Sequence, residues 1–329
     1  MIKDEKKSKL NEIAALIGEN NNFIIMGHID PDGDCLGSSF ALKWLLDKLN
    51  KNALVLLEEE LDKRYDFLQI SEDDYELLSG FSPNFNENKV IVIALDAGDL
   101  DRLGDRQRIA RERFIVNIDH HEDNPEYGDL NYVNPDLAAT GEIIYQLSRQ
   151  LKSPLDLKIA RALSTAIIAD TGSFKYQNTR AEVFEIMSSL MDYGVDIYEI
   201  NRAIFASYSY QSLKLRGKAL ASLNLSKDKK VAWLKLDLAS IEDLGAEISD
   251  SSGLVNYARD VKGVEVGISF VEIASDKTKV GFRSNNYCPV NEVAALFGGG
   301  GHPRAAGCLI EKDIEQTITM VLDKVTEYV

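Results

Sequence analysis

Apolar residues follow two rhythms along this chain, and their alternation predicts its architecture. Short β-branched runs at residues 23–27 (FIIMG), 53–57 (ALVLL), 90–95 (VIVIAL) and 114–118 (FIVNI) read as buried strands. Between and after them, apolar positions recur at helical spacing over 37–49, 140–151 and 157–169. Strands alternating with helices predict a parallel α/β sheet covered by helices. From residue 180 to about 220 the pattern is almost wholly helical, as expected of a connector. Longer strands are then predicted at 231–236, 264–273, 279–283 and 308–310, mixed with three helices, in a second and smaller α/β domain. A length of 329 residues agrees with two domains, because a single core usually stops growing at roughly 250–300.

The chain has four histidines, and each stands in a segment that reads as a site rather than a core. The first segment, 27–39 (GHIDPDGDCLGSS), begins where a strand ends and runs into a helix, the place where open parallel sheets bind ligands. His28, Asp32 and Asp34 put one imidazole and two carboxylates on a turn with Pro31 and Gly33; the plain alternative is an Asp-rich turn capping a helix. Asp30 is expected to be structural. The strand at 90–95 ends at Asp96 (LDAGD), and the strand at 114–118 ends at Asp119-His120-His121. Asp170 (ADTGSF) closes an apolar helix, where a carboxylate faces the negative end of the helix dipole unless a cation answers it. Asp32, Asp34, Asp96 and Asp170 bring four negative charges, which two divalent ions would neutralise. Oxygen-rich donors with a few imidazoles suit Mn²⁺ or Mg²⁺, and a pair of such ions predicts phosphoester hydrolysis.

A further segment, 298–307 (GGGGHPRAAG), places Gly298, Gly299, Gly300 and Gly301 directly before His302. Such a run is commonly a flexible linker; here it is expected to aim backbone N–H groups into one concavity for an anion. Arg283 and Ser284 (GFRSN) are the neighbouring candidates for a phosphate contact, Arg283 as the fork. With 37 Lys and Arg against 53 Asp and Glu, the net charge of −16 argues against a protein that lives on long duplex nucleic acid. The three cysteines, Cys35, Cys288 and Cys308, form no CxxC pair and are expected to be buried and free. The run at 58–60 is expected to be a solvated acidic loop. No apolar run reaches the roughly 18 residues of a membrane span and residues 1–10 lack the apolar block of a signal peptide, so a cytoplasmic protein is expected.

Taken together, HIDPDGD, LDAGD, DHH, ADTGSF and GGGGHPRAAG resemble the motifs of the DHH/DHHA1 phosphoesterases, in order and over nearly the whole chain. Within that family the chain is most similar to the compact NrnA type, which joins oligoribonuclease activity to phosphatase activity on 3′-phosphoadenosine 5′-phosphate (pAp). The resemblance implies an N-terminal parallel-sheet DHH domain at 1–182, a helical linker at 183–222 and a smaller C-terminal α/β DHHA1 domain with a mixed sheet at 223–329. It implies one Mn²⁺ on His28, Asp32 and Asp96, and a second on Asp34, Asp96, His120 and Asp170. His121 would sit over the bridging water or a phosphate oxygen, and Asp119 would orient its neighbours. Arg283, Ser284, the glycine run and His302 would hold the nucleotide. Short RNA oligonucleotides and pAp-like nucleotides are the implied partners, with no membrane; a homodimer is compatible with this. A soluble phosphodiesterase for cyclic di-AMP or pApA would carry the same motifs, and a catalytically silent nucleotide sensor would show a lost ligand, of which there is none.

Overall fold

The structure, a computed structural model, describes residues 2–81 and 90–329. The chain divides into two compact units, Met1–Ser207 and Tyr208–Val329. In chain order the first holds α1 (Ile2–Glu19), β1 (Asn22–Met26), α2 (Gly33–Lys48), β2 (Asn52–Leu57), β3 (Tyr75–Leu77), β4 (Val90–Leu95), α3 (Gln107–Ala110), β5 (Phe114–Asp119), β6 (Leu130–Val133), α4 (Thr140–Gln150), α5 (Leu157–Asp170), α6 (Ala181–Met191) and α7 (Ile197–Phe205). Its strands are all parallel, in the order β3-β2-β1-β4-β5-β6. The chain builds outward from β1 through β2 to β3, then crosses to the other side of β1 with β4. That reversal opens a crevice beyond the carboxyl ends of β1 and β4.

Both faces of the central strands are covered, which is why they read as continuous apolar runs. Phe23, Ile25, Val55, Ile93 and Val116 pack with Phe40, Leu163 and Ile167 on one face. Ile24, Met26, Val92 and Ala94 pack with Leu103 and Ala110 on the other. Helix α2 is buried from Gly33 through Leu46. It lies backbone to backbone on α5 at Gly37, where a Cβ would sit 2.4 Å from the Ala162 carbonyl oxygen and 2.9 Å from the Ala166 nitrogen. Gly37→Ala is therefore expected to destabilise the protein by about 2–3 kcal/mol in denaturant unfolding. An unchanged unfolding midpoint would contradict the close contact.

The second unit holds α8 (Tyr210–Ala221), β7 (Asn224–Leu225), β8 (Val231–Leu236), α9 (Leu238–Asp243), α10 (Leu254–Arg259), β9 (Val266–Ala274), β10 (Lys277–Ser284), α11 (Val290–Ala295), β11 (Gly300–His302), β12 (Ala305–Ile310) and α12 (Ile314–Val325). Its sheet runs β11-β12-β10-β9-β8-β7 and is mixed: β8 and β9 are parallel, the other neighbours antiparallel. Helices α8, α9 and α10 pack on one face, α11 and α12 on the other. Four helices rather than three stand among these strands in the described residues; α9 and α10, at six residues each, are too short to display a period. The stretch expected to be a connector is divided, with α6 and α7 in the first unit and α8 in the second. All three cysteines are buried and free. Glu59 and Glu60 are exposed, but Glu58 is half-buried and accepts from the Asp105 N–H at 3.2 Å. Among the described residues no helix is long and apolar enough to cross a membrane.

Candidate metal centre

The turn after β1 is shorter than its sequence suggests. Asp32 caps α2, its Oδ1 accepting from the backbone N–H groups of Asp34 at 3.0 Å and Cys35 at 3.1 Å. Asp34 is thus already in the first helical turn, fully buried, whereas Asp32 is exposed at the rim. Asp34 accepts from the N–H groups of Thr140 (2.6 Å) and Gly141 (2.9 Å), at the start of α4, and from the Ser38 hydroxyl (2.9 Å). These donors fix both carboxylate oxygens. His28 is buried, its Nδ1 2.6 Å from the Ile29 carbonyl oxygen, so Nδ1 carries the proton and Nε2 is left for other work. That Nε2 lies 3.7 Å from Asp96 Oδ2 and 3.8 Å from Asp32 Oδ1. Asp30 is exposed, with a φ of 51°.

Asp96 directly follows β4 in a left-handed conformation, φ 54°, which a non-glycine residue adopts at a cost and which recurs at functional sites. Its carboxylate accepts from the Thr140 hydroxyl at 3.1 Å. Around it stand His120 Nε2 at 3.5 Å and His121 Nδ1 at 3.9 Å from Oδ1, with His28 on the other oxygen. His120 Nε2 also lies 3.1 Å from Asp170 Oδ2 and 3.7 Å from Asp34 Oδ2. Asp119, fully buried at the end of β5, accepts from His121 Nδ1 (2.7 Å), Asn124 Nδ2 (2.6 Å) and the His120 N–H (2.8 Å). It holds both histidines from below.

Burial, with the Asp96 and Asp170 carboxylates close by, pushes Asp34 well above the usual carboxylate range. Burial raises Asp170 too, partly offset by its hydrogen bond to His120. For His120, burial would lower the pKa, but hydrogen bonds and charge from Asp170 and Asp96 outweigh it and raise it well above an ordinary imidazole. His121 is raised for the same kind of reason, with Asp119 as its partner, while Asp119 is held low by His121 and Asn124 against its own burial.

Among the described residues, the ion-pair partners of Asp34, Asp96 and Asp170 are imidazoles. Donor atoms of Asp34, His120 and Asp170 lie within 4.8 Å of one another, as do those of Asp96, His120 and His121. Crowded, desolvated carboxylates, with Asp34 and Asp170 raised by burial, form a donor set that hard divalent cations fit. Residues 22–167 match the family described as DHH family, N-terminal domain, and residues 228–329 match the DHHA1 domain. The bifunctional oligoribonuclease and PAP phosphatase NrnA of Thermus thermophilus is 32% identical over 305 residues, covering 92% of this chain and 89% of that one. The chain belongs to the DHH family.

A Bacillus subtilis relative of the same name is 28% identical over 307 residues, 91% of this chain and 92% of that one. Among solved structures, an exopolyphosphatase-related protein from Bacteroides fragilis superposes with a TM-score of 0.91 at 24% identity over 98% of this chain and 96% of that chain. The manganese-bound exonuclease RecJ gives 0.50 at 15%, covering 97% and 94%. This DHH protein is a phosphoesterase, a hydrolase. Beyond the ligand candidates, its first unit brings to the site Cys35 and Ser38, which lie in the 27–39 segment without an assigned role there, and Asn124 and Thr140, which carry no motif signal. The Cys35 Sγ lies within 4.8 Å of donor atoms of His28 and Asp96, and burial pushes its thiol well up, so it stays protonated.

In the second unit the glycine run is not an open concavity of N–H groups. Gly298 and Gly299 donate to the carbonyls of Ala295 (3.1 Å) and Ala294 (2.9 Å), ending α11, and Gly300–His302 is strand β11, paired with β12. Close packing explains the glycine at 299, where a Cβ would come within 2.2 Å of the Gly307 carbonyl oxygen. Ser284 is buried and its hydroxyl donates to the Cys288 carbonyl at 2.7 Å, so it supports the segment from within. Arg283 is half-buried, its Nη1 on the Phe282 carbonyl at 2.9 Å, and His302 is exposed.

Proposed function

We propose that this DHH phosphoesterase uses two divalent cations, Mn²⁺ before Mg²⁺, to hydrolyse short oligoribonucleotides to 5′-mononucleotides and to remove the 3′-phosphate of pAp. The observation that supports it most is the convergence of Asp34, Asp96 and Asp170 with His28, His120 and His121 beyond the sheet's carboxyl edge. The names of the Thermus and Bacillus relatives support the same substrates. His28, Asp32 and Asp96 would hold one cation; Asp34, Asp96, His120 and Asp170 the other. When bound, the cations supply Lewis acidity toward a phosphoryl oxygen and the attacking water.

The chain's own residues account for the rest. Asp119 fixes the His121 ring through Nδ1, which leaves Nε2 to meet a phosphate oxygen or the departing oxygen. The raised pKa of His121 keeps a proton available for that contact near neutral pH. Arg283 and His302 would hold the nucleotide's phosphate. Metal-free protein given Mn²⁺ and a panel of pAp, pApA, cyclic di-AMP, pyrophosphate and short RNA tests this directly. Release of 5′-mononucleotides from short RNA and of phosphate from pAp is expected. Turnover confined to cyclic di-AMP and pApA would replace the proposal with a cyclic-dinucleotide phosphodiesterase, and no turnover of any substrate would favour a sensor.

With a net charge of −16, the protein is poorly suited to a long phosphate backbone. Single-turnover rates on end-labelled RNA are expected to be high for a dinucleotide and to fall steeply on long strands. Arg283→Ala should weaken dinucleotide binding by about 2–5 kcal/mol if the guanidinium pairs with a phosphate out of water, and leave Mn²⁺ binding unchanged. Equal rates on short and long strands would argue for a processive exonuclease instead.

A further inference from the structure

We infer that Glu265 is a positioning residue for the nucleotide-binding segment of the second unit, an inference that rests on the proposal that Arg283 and His302 hold the nucleotide. Glu265 stands just before β9 and is 2% exposed, yet no Lys or Arg answers it in the hydrogen bonds it makes. Its Oε1 accepts from three successive backbone N–H groups, Asn286 at 3.1 Å, Tyr287 at 2.7 Å and Cys288 at 2.9 Å. Its Oε2 accepts from Asn286 Nδ2 at 3.0 Å. The carboxylate therefore fills a nest of N–H groups from inside and dictates the path of the loop that follows β10.

That loop carries the next layer. The Cys288 carbonyl accepts from the Ser284 hydroxyl at 2.7 Å and from Arg304 Nη1 at 3.0 Å. The Pro303 carbonyl accepts from the Val290 N–H at 2.9 Å, and the Arg304 carbonyl from the Ser284 N–H at 3.1 Å. Because His302 pairs with Ala305, Pro303 and Arg304 are the two-residue turn of the β11–β12 hairpin. The turn next to His302 thus rests on the loop, and the loop rests on Glu265. Arg283 is one residue before Ser284, at the other end of the same strap. Loss of the carboxylate frees three backbone N–H groups and the Asn286 amide at once and removes the seat of the hairpin turn, without touching any group proposed to meet the metals.

The test uses the full-length, Mn²⁺-loaded protein and an RNA dinucleotide, with kcat expressed per Mn²⁺-binding protein and the thermal midpoint recorded for each variant. Glu265→Ala is expected to raise KM roughly tenfold with kcat within about twofold of wild type, the signature of displaced binding groups. Glu265→Gln should recover most of the KM, since its amide oxygen still accepts the three N–H groups and the Asn286 amide can turn to meet its NH₂. Glu265→Asp, one methylene short, should behave like alanine and serves if the alanine variant does not fold. His302→Ala is the reference. A raised KM in His302→Ala with a normal KM in both Glu265→Ala and Glu265→Asp would overturn the positioning role and leave the nucleotide-binding proposal standing. A normal KM in His302→Ala and Arg283→Ala would overturn that proposal and this inference with it.

Discussion

Asp96→Ala is expected to cut Mn²⁺-dependent turnover by on the order of 10³-fold while leaving the protein folded. Both proposed cation sites draw on this carboxylate: His28 faces one oxygen at 3.7 Å, and His120 faces the other at 3.5 Å. The residue is 3% exposed and keeps its left-handed backbone, φ 54°, at a conformational cost that alanine would share without its function. Circular dichroism should show a native spectrum, and calorimetry should show fewer than two Mn²⁺ bound. Asp30→Asn is the control, since Asp30 is exposed, lies on the same turn, and asparagine tolerates its φ of 51°. Asp96→Ala retaining more than a tenth of wild-type turnover would overturn the shared role; an equal loss in the control would mean the turn itself is what matters.

The parts of this site legible beforehand are those where a side chain is both reactive and placed by a strand end. Strands β1, β2, β4 and β5 are buried over most of their length, so their apolar runs, interrupted inside only by Asn117 of β5, make the acids and histidines at the ends of β1, β4 and β5 stand out. Edge strands β3 and β6, with three and four residues and partial exposure, carry no such run. Most of the support of Asp34 is invisible in the sequence because, apart from the Ser38 hydroxyl, it comes from backbone N–H groups of Thr140 and Gly141, which any residue but proline would supply. At Asp32 the structure shows the capping role: it caps α2 and stands 3.8 Å from His28, with which it would share a cation under the proposed function. The glycine run misleads in the opposite way. Freedom from Cβ atoms suits both an anion nest and a hairpin pressed against its neighbour, and pairing of Gly300–His302 with β12 decides for the hairpin.

Removing divalent cations is expected to lower the thermal midpoint, and the gap between metal-free and Mn²⁺-loaded protein should widen as pH rises from about 6 to about 8. Two sites each near a hundredfold saturation contribute about 5 kcal/mol, since each adds about 2.7 kcal/mol by mass action. At roughly 2–4 °C per kcal/mol for a unit of this size, the midpoint should move by roughly 10–20 °C. The pH dependence follows from Asp34 and His120, both raised well above their ordinary values. Asp34, held well above its unfolded value, keeps its proton in the folded metal-free protein while the unfolded chain has lost it. Folded protein then binds more protons, so stability falls as pH climbs from the ordinary carboxylate range through the raised value. His120, also raised, contributes stability that is complete below the unfolded imidazole pKa of about 6.5 and is lost as pH rises through its folded value. Asp119 acts oppositely and only in acid: depressed in the folded state, it stabilises above the ordinary aspartate range and loses that contribution as pH falls through its lowered value. Cations compete with the protons on Asp34 and His120, so their affinity should grow with pH while the metal-free form weakens. Thermal unfolding after chelation and dialysis, followed by Mn²⁺ titration at constant ionic strength and several pH values, measures both effects. A midpoint indifferent to Mn²⁺ would count against a carboxylate-rich cation site, and a gap that narrows with pH would contradict the raised values at Asp34 and His120.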